Sequence, residues 1–283
     1  MQAHIITIGD EILVGQTVDT NSTFIAKQLN SIGVSVSEIQ SIKDDETHIV
    51  KSLDLALEKN DIVLITGGLG PTNDDITKSV LVKYFKDELV LYPDVLEKIK
   101  TFFIKFNKPF LKVNEYQAML PKNATIIVND LGTASGMWFE KDSKIIISMP
   151  GVPYEMKGLM LKAVEKLKSD CEIGDLYHNT ILLQGIGESY LANDLKKWET
   201  EIRENGITVS YLPSVGLVKV RLTGRISQKH YIDSKLKKIE ELYGKHVFGY
   251  NDDKLEEVIG EFLLKEGQSL GTVESCTAGA LAS

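Results

Sequence analysis

Cysteine is nearly missing from this chain of 283 residues: Cys171 and Cys276 are the only two, too few for a disulfide framework and without the spacing of metal ligands. Histidine is equally sparse. His4, His48, His178, His230 and His246 are scattered with no His-x-x-x-His pair, which argues against a zinc site. An excess of positive charge is missing too. Lys and Arg total 32 against 40 Asp and Glu, for a net charge of -8 and a pI near 5.3. Nucleic acid and membrane surfaces are bound through concentrated Lys and Arg, so neither is expected as a dominant partner. A phosphate-bearing ligand is expected to come with a metal. No apolar run reaches bilayer length, and the N-terminus shows neither the basic nor the apolar region of a signal peptide, so a cytoplasmic location is expected. What is present is the composition of a globular protein, 43% hydrophobic and 25% charged, enough for roughly two domains.

The most informative stretch runs from Ile62 to Thr77. Four apolar residues after Asp61 suit a parallel strand buried on both faces. Gly67, Gly68 and Gly70 follow, letting the backbone turn sharply and bring bare N–H groups to an anion. Thr72 or Asn73 is in position to cap a helix beginning near Ile76, which would set the loop at a positive helix end. Asp74 and Asp75 stand against that end. Acids beside a phosphate cradle make sense if a divalent cation bridges them to phosphate, although an acidic start also stabilises any helix through its dipole.

The first strand, His4 to Ile8, repeats this logic by ending in Gly9-Asp10-Glu11. Ligands of open parallel sheets bind beyond the carboxyl ends of the strands, so Asp10 and Glu11 are candidates for the same crevice; alternatively they solvate a turn. A helix over Asp19 to Ile32 closed by Gly33, a strand over Val34 to Ile42 ending at Asp44-Asp45, and a helix over Thr47 to Lys59 complete a doubly wound α/β pattern. Later strands at Ala124 to Val128 and Lys144 to Met149 lead to Pro150-Gly151-Val152-Pro153-Tyr154-Glu155. Tyr154 and Glu155 are in place to contact a ribose or base, or to pack. From Leu176 to Gly249 the pattern becomes a small α+β module. Over residues 185–245 it carries 11 Lys and Arg and 8 Asp and Glu, a slight excess that favours a structural or dimerising role over RNA binding. A helix from Leu255 and a strand over Ser269 to Val273 lead into Glu274-Ser275-Cys276-Thr277.

Four motifs, Ile8-Gly9-Asp10-Glu11 with Asp19-Thr20-Asn21-Ser22, Thr66 to Thr77, Met149 to Pro153, and Glu274 to Thr277, occur in an order and spacing that closely resemble the CinA (competence/damage-inducible) family. The resemblance implies a three-layer, parallel-sheet α/β domain of the molybdopterin-binding (MoaB/MogA/MoeA-like) type over 1–170. A KH-type α+β module over 171–250 and the start of an amidase domain over 251–283 would follow. It further implies metal-dependent hydrolysis of ADP-ribose, or a related nucleotide sugar, to AMP and ribose 5-phosphate. Carried over by position, Gly67, Gly68, Gly70 and Thr72 contact phosphate, and Asp10, Glu11 and Gly151 join the substrate site. Asp44 and Asp75 are catalytic and hold a divalent cation, with Asp74 beside them. Asp74 stands where the MogA branch is often basic, which favours a metal over a pterin. Ser275 falls on the amidase nucleophile but is expected to be vestigial, since downstream residues of that domain do not follow Ser283. The expected partners are a small nucleotide and a second copy in a homodimer. A non-catalytic pterin- or nucleotide-binding module is the alternative.

Overall fold

The structure, a computed structural model, describes residues 1–72, 74–173 and 175–282, and divides into two compact units, Met1–Gly174 and Asp175–Ser283. In the first, chain order is β1 (Gln2–Ile8), α1 (Asp10–Leu13), α2 (Thr20–Ser31), β2 (Ser35–Ile42), α3 (Glu46–Lys59), β3 (Ile62–Thr66) and α4 (Thr77–Tyr84). Then come β4 (Leu89–Leu91), α5 (Pro93–Lys105), α6 (Lys112–Glu115), β5 (Met119–Pro121), β6 (Thr125–Ile127), β7 (Gly136–Lys141), β8 (Lys144–Met149) and α7 (Pro153–Asp170). Six strands form one sheet in the order β2-β1-β3-β8-β7-β6.

Helices cover both faces of this sheet, which explains why its central strands are continuous apolar runs. Along β3, Val63 and Ile65 pack with residues of α3, α4 and α5, while Ile62 and Leu64 pack with residues of α2 and α7. Two helix starts follow local chemistry. Asp19 caps α2 by accepting the Ser22 N–H at 2.9 Å, and Asp45 caps α3 by accepting the His48 N–H at 2.9 Å. Gly33 takes φ 79° just past α2, the left-handed conformation that glycine adopts at no steric cost.

The expected three-layer α/β sheet is present, with a parallel centre and an antiparallel edge. β2, β1, β3 and β8 run parallel, but β7 pairs antiparallel with β8 and β6 antiparallel with β7. The reason is the tight Asp142-Ser143 turn between β7 and β8. Both residues have positive φ, and so short a turn can join only antiparallel neighbours.

The second unit contains β9 (Leu176–Gln184), α8 (Glu188–Asp194), α9 (Lys196–Glu204), β10 (Thr208–Ser214), β11 (Leu217–Arg225), α10 (Lys229–Tyr243), β12 (Val247–Tyr250) and α11 (Leu255–Lys265). Its antiparallel sheet has the order β10-β11-β9-β12, with Trp198, Ile202, Ile232 and Leu236 of α9 and α10 packed on Ile181, Val220 and Leu222. The strand expected over 269–273 does not form. No described strand pairs with it, and without a ladder its backbone has no reason to stay extended.

Leu64 is fully buried at the centre of the larger sheet. Leu64→Ala is expected to cost about 2–5 kcal/mol in unfolding free energy of the first unit, read from urea denaturation. A loss below about 1 kcal/mol would show that the site collapses around the missing methyls.

Candidate functional site

The carboxyl ends of the four parallel strands open onto one cleft of about 480 Å³, within the roughly 300–1,000 Å³ typical of small-molecule sites. Sheet order fixes the order of groups along it. Asp44 follows β2, Gly9 and Glu11 follow β1, Gly67 to Gly70 follow β3, Gly151 to Glu155 follow β8, and Thr133-Ala134 precede β7.

One end is acidic. Burial, and then the charges of Asp10, Glu11 and Asp75, push the Asp44 carboxyl up to about 6, against an opposing hydrogen bond from the Asp10 N–H. Three carboxylates from two neighbouring strand ends are therefore close enough to oppose the ionisation of Asp44. Glu11 folds back over Gly9, where a Cβ would meet its carboxylate at 2.6 Å. Asp10 itself is exposed and does not line the cleft, although Asp44 feels its charge.

The glycine loop is bent by contacts that only glycine allows. At Gly67, φ is 115° and a Cβ would collide with the Ile8 carbonyl oxygen; at Gly68, φ is 65° and a Cβ would collide with the Thr77 hydroxyl. Gly67 was expected to offer its N–H to phosphate, but that N–H is spent on the Met149 carbonyl at 3.0 Å. The N–H groups of Gly68, Leu69 and Gly70 have no backbone acceptor among the described residues, so the donor set is shifted along the loop. Thr72 does not cap the helix either. Its N–H donates at 3.0 Å to Asp75 Oδ2, its hydroxyl makes a short hydrogen bond to the same oxygen, and Ile76, at the N-cap of α4, gives the helix no side-chain cap. Asn73, the other expected cap, lies outside the described residues. Asp75 therefore staples its own loop with one oxygen. Asp74 is exposed at the cleft edge and held low by Thr72.

Sequence reasoning missed the amides. Asn21, 8% exposed, donates through Nδ2 to the Thr66 hydroxyl at 3.1 Å and the Gly151 carbonyl at 2.7 Å, tying the β3 and β8 ends together. Gln117 is 4% exposed and lines the cleft, yet neither amide atom has a partner among the described residues. Its only sequence signal was its place in the irregular stretch before Pro121. Ser275 is far along the chain in the second unit, exposed in a turn where Glu274 accepts the N–H groups of Leu281 and Ala282 at 2.9 Å each. No base bonds its hydroxyl among the described residues.

Comparison with known proteins matches two family models to the chain. One, described as "Probable molybdopterin binding domain", covers residues 4–169, and "Damage-inducible protein CinA KH domain" covers residues 178–249. A "CinA-like protein" of Flavobacterium psychrophilum is 42% identical over 100% of this chain and 69% of the relative. The chain belongs to the CinA-like proteins. A "Putative competence-damage inducible protein" of Clostridium beijerinckii is 36% identical over 100% of the CinA-like chain and 70% of its own. The crystal structure of CinA from Thermoplasma acidophilum, titled as of unknown function, is 38% identical. It covers 58% of this chain and 96% of its own at a TM-score of 0.52.

Among the described residues no cluster of three or more His, Cys, Asp or Glu is arranged to hold an ion. A hard cation that keeps its waters takes only one or two carboxylates plus ligand phosphates. Asp44 and Asp75 are the residues of the acidic end that could hold one.

Asp44 also yields a pH prediction. Its folded value near 6 lies above the roughly 3.9 of an unfolded aspartate, so it contributes stability that is fully present below about 3.9 and lost as pH rises through about 6. Asp44→Asn, measured in EDTA, should match wild type in Tm at pH 4 and exceed it from pH 6 upward. Equal Tm values at pH 8 would mean that neither burial nor the neighbouring acids disfavour the ionised Asp44.

Proposed function

We propose that the first unit hydrolyses the diphosphate bond of ADP-ribose, or a related nucleotide sugar, to AMP and ribose 5-phosphate in the presence of a divalent cation. The observation that carries this reading is the apposition of two unlike sets of groups. The N–H donors of Gly68 to Gly70 bind a phosphate unaided, whereas Asp10, Glu11, Asp44 and Asp75 repel one unless a cation intervenes. A site that only bound an anion would be better served by Lys or Arg at these positions. The cation would be held by Asp44 and Asp75, and when bound it neutralises phosphate oxygens and lowers the pKa of a bound water. The loop N–H groups orient the diphosphate for in-line attack.

A second reading, a pterin- or nucleotide-binding module without turnover, is favoured by the "Probable molybdopterin binding domain" match. Release of AMP from ADP-ribose, followed with and without divalent cations and in excess EDTA, separates the two. Binding without AMP release under any cation would select the second.

The two sets of groups should also separate under mutation. Asp75→Asn keeps an oxygen for Thr72, and is expected to lower kcat roughly 10²-fold, about 3 kcal/mol of transition-state stabilisation, while sparing metal-free binding. Gly68→Val is expected to weaken binding with or without cation, because φ 65° and the Thr77 hydroxyl leave no room for a branched side chain. Full cation-stimulated activity in Asp75→Asn would remove the metal assignment.

A further inference from the structure

The end of the cleft opposite Asp44 is built around a different carboxylate. Glu155, on the first turn of α7, is 8% exposed and lines the cleft. Its Oε2 accepts the Asn129 amide at 2.6 Å, and Tyr154 supplies a further hydrogen bond. Asn129 also donates to the Ala134 carbonyl at 2.9 Å and accepts the Leu131 N–H at 2.9 Å, so one side chain both shapes the 129–134 loop and orients Glu155. Gly132 lets that loop lie directly against the carboxylate, where a Cβ would collide with both oxygens. Two cations brace the loop from outside. Lys162 of α7 donates to the Val128 carbonyl at 2.7 Å and to Asp130, which Lys98 of α5 also bonds at 3.0 Å.

This carboxylate is buried, held in place and not paired with a cation among the described residues. An ionised carboxylate offers about four lone-pair positions, of which Asn129 and Tyr154 use two. The remaining positions call for hydrogen-bond donors and reject phosphate. The β8 end that leads into Glu155 neighbours the β3 end that leads into the glycine loop, and neighbouring strands stand roughly 4.8 Å apart. The two loops touch where they leave the sheet, a Cβ at Gly151 falling 3.4 Å from the Gly67 Cα.

We propose that the Glu155 end of the cleft is its sugar end, where the carboxylate accepts hydrogen bonds from the vicinal hydroxyls of a ribosyl group whose phosphate lies on the Gly68 to Gly70 loop. This rests on the nucleotide-diphosphate reading of the cleft and assigns the group that reads the sugar. Glu155 is a specificity residue and takes no part in bond cleavage.

Calorimetric titration of the full chain with a divalent cation tests it, using AMP, 2′,3′-dideoxy-AMP, ribose 5-phosphate and methylene diphosphonate. Glu155→Gln keeps the shape and an oxygen for Asn129. It is expected to weaken AMP or ribose 5-phosphate roughly tenfold or more, as for a lost hydrogen bond to a charged group, while leaving the sugar-free diphosphonate within about twofold. If the adenosine ribose occupies this end, AMP is the ligand affected and wild type binds 2′,3′-dideoxy-AMP about tenfold more weakly than AMP; if the terminal ribose does, ribose 5-phosphate is affected instead. Glu155→Asp, which keeps the charge at shorter reach, should give an intermediate loss and stands in if Glu155→Gln fails to fold. Unchanged sugar-phosphate affinity, an equal loss for diphosphonate, or no binding of either sugar phosphate by wild type overturns the proposal. AMP release from ADP-ribose, measured in parallel, separates the two readings: turnover without a Glu155 effect sinks the sugar end alone, and a Glu155 effect without turnover sinks hydrolysis alone.

Discussion

Three strand ends are forced together at Gly67, and the geometry of the cleft follows from that close approach. The Gly67 N–H is bonded to Met149 at the end of β8, and its α-carbon lies against Gly151. The Ile8 carbonyl at the end of β1 fills the space where a side chain would be. Thr66, one residue earlier, donates to the Pro150 carbonyl at 3.0 Å and accepts from Asn21, so a helix from the opposite layer locks the same junction. The next three N–H groups of the loop have no backbone acceptor among the described residues. Backbone donors held this way need no reorganisation to meet an anion, which is the condition for strong electrostatic binding.

Stability and function pull against each other at the acidic end. Burying Asp44, with Asp10, Glu11 and Asp75 nearby, costs folded-state free energy at neutral pH, and the raised proton affinity of Asp44 carries the sign of that cost. The surrounding core absorbs it. Apolar residues on both faces of β1 and β3 are almost entirely buried, and removal of that surface from water outweighs a few unfavourable charge contacts. The cleft is thereby divided into a charged end, a neutral donor-rich middle and a single oriented carboxylate at the far end. Along one sheet edge, each strand contributes one kind of chemistry.

The second unit shows no comparable concentration of unsatisfied groups at one edge. Its alternating β11 pattern, with Val218, Val220 and Leu222 buried and Lys219 and Arg221 between them, describes a sheet covered by helices on one face. No helix of the described chain is long and apolar enough to cross a membrane.

Much of the layout could be read from the sequence because it is local. Apolar runs at β1, β3 and β8 and the glycine turns depend on residues within a few positions of each other, and these were legible as periodicity and turn chemistry. The acids at the strand ends were legible as well, since a parallel sheet sends all such ends to one edge. Tertiary structure alone decided what those residues bond to. It gave the Gly67 N–H to Met149, 82 residues on, and turned Asp75 toward Thr72. It reversed β7 and β6, buried Asn21 and Gln117 in the cleft walls, and set Asn129 against Glu155. None of these has a periodicity, because a hydrogen bond between distant residues depends on where strands are placed in the sheet, and strand order is set by packing of whole layers rather than by any stretch of neighbours.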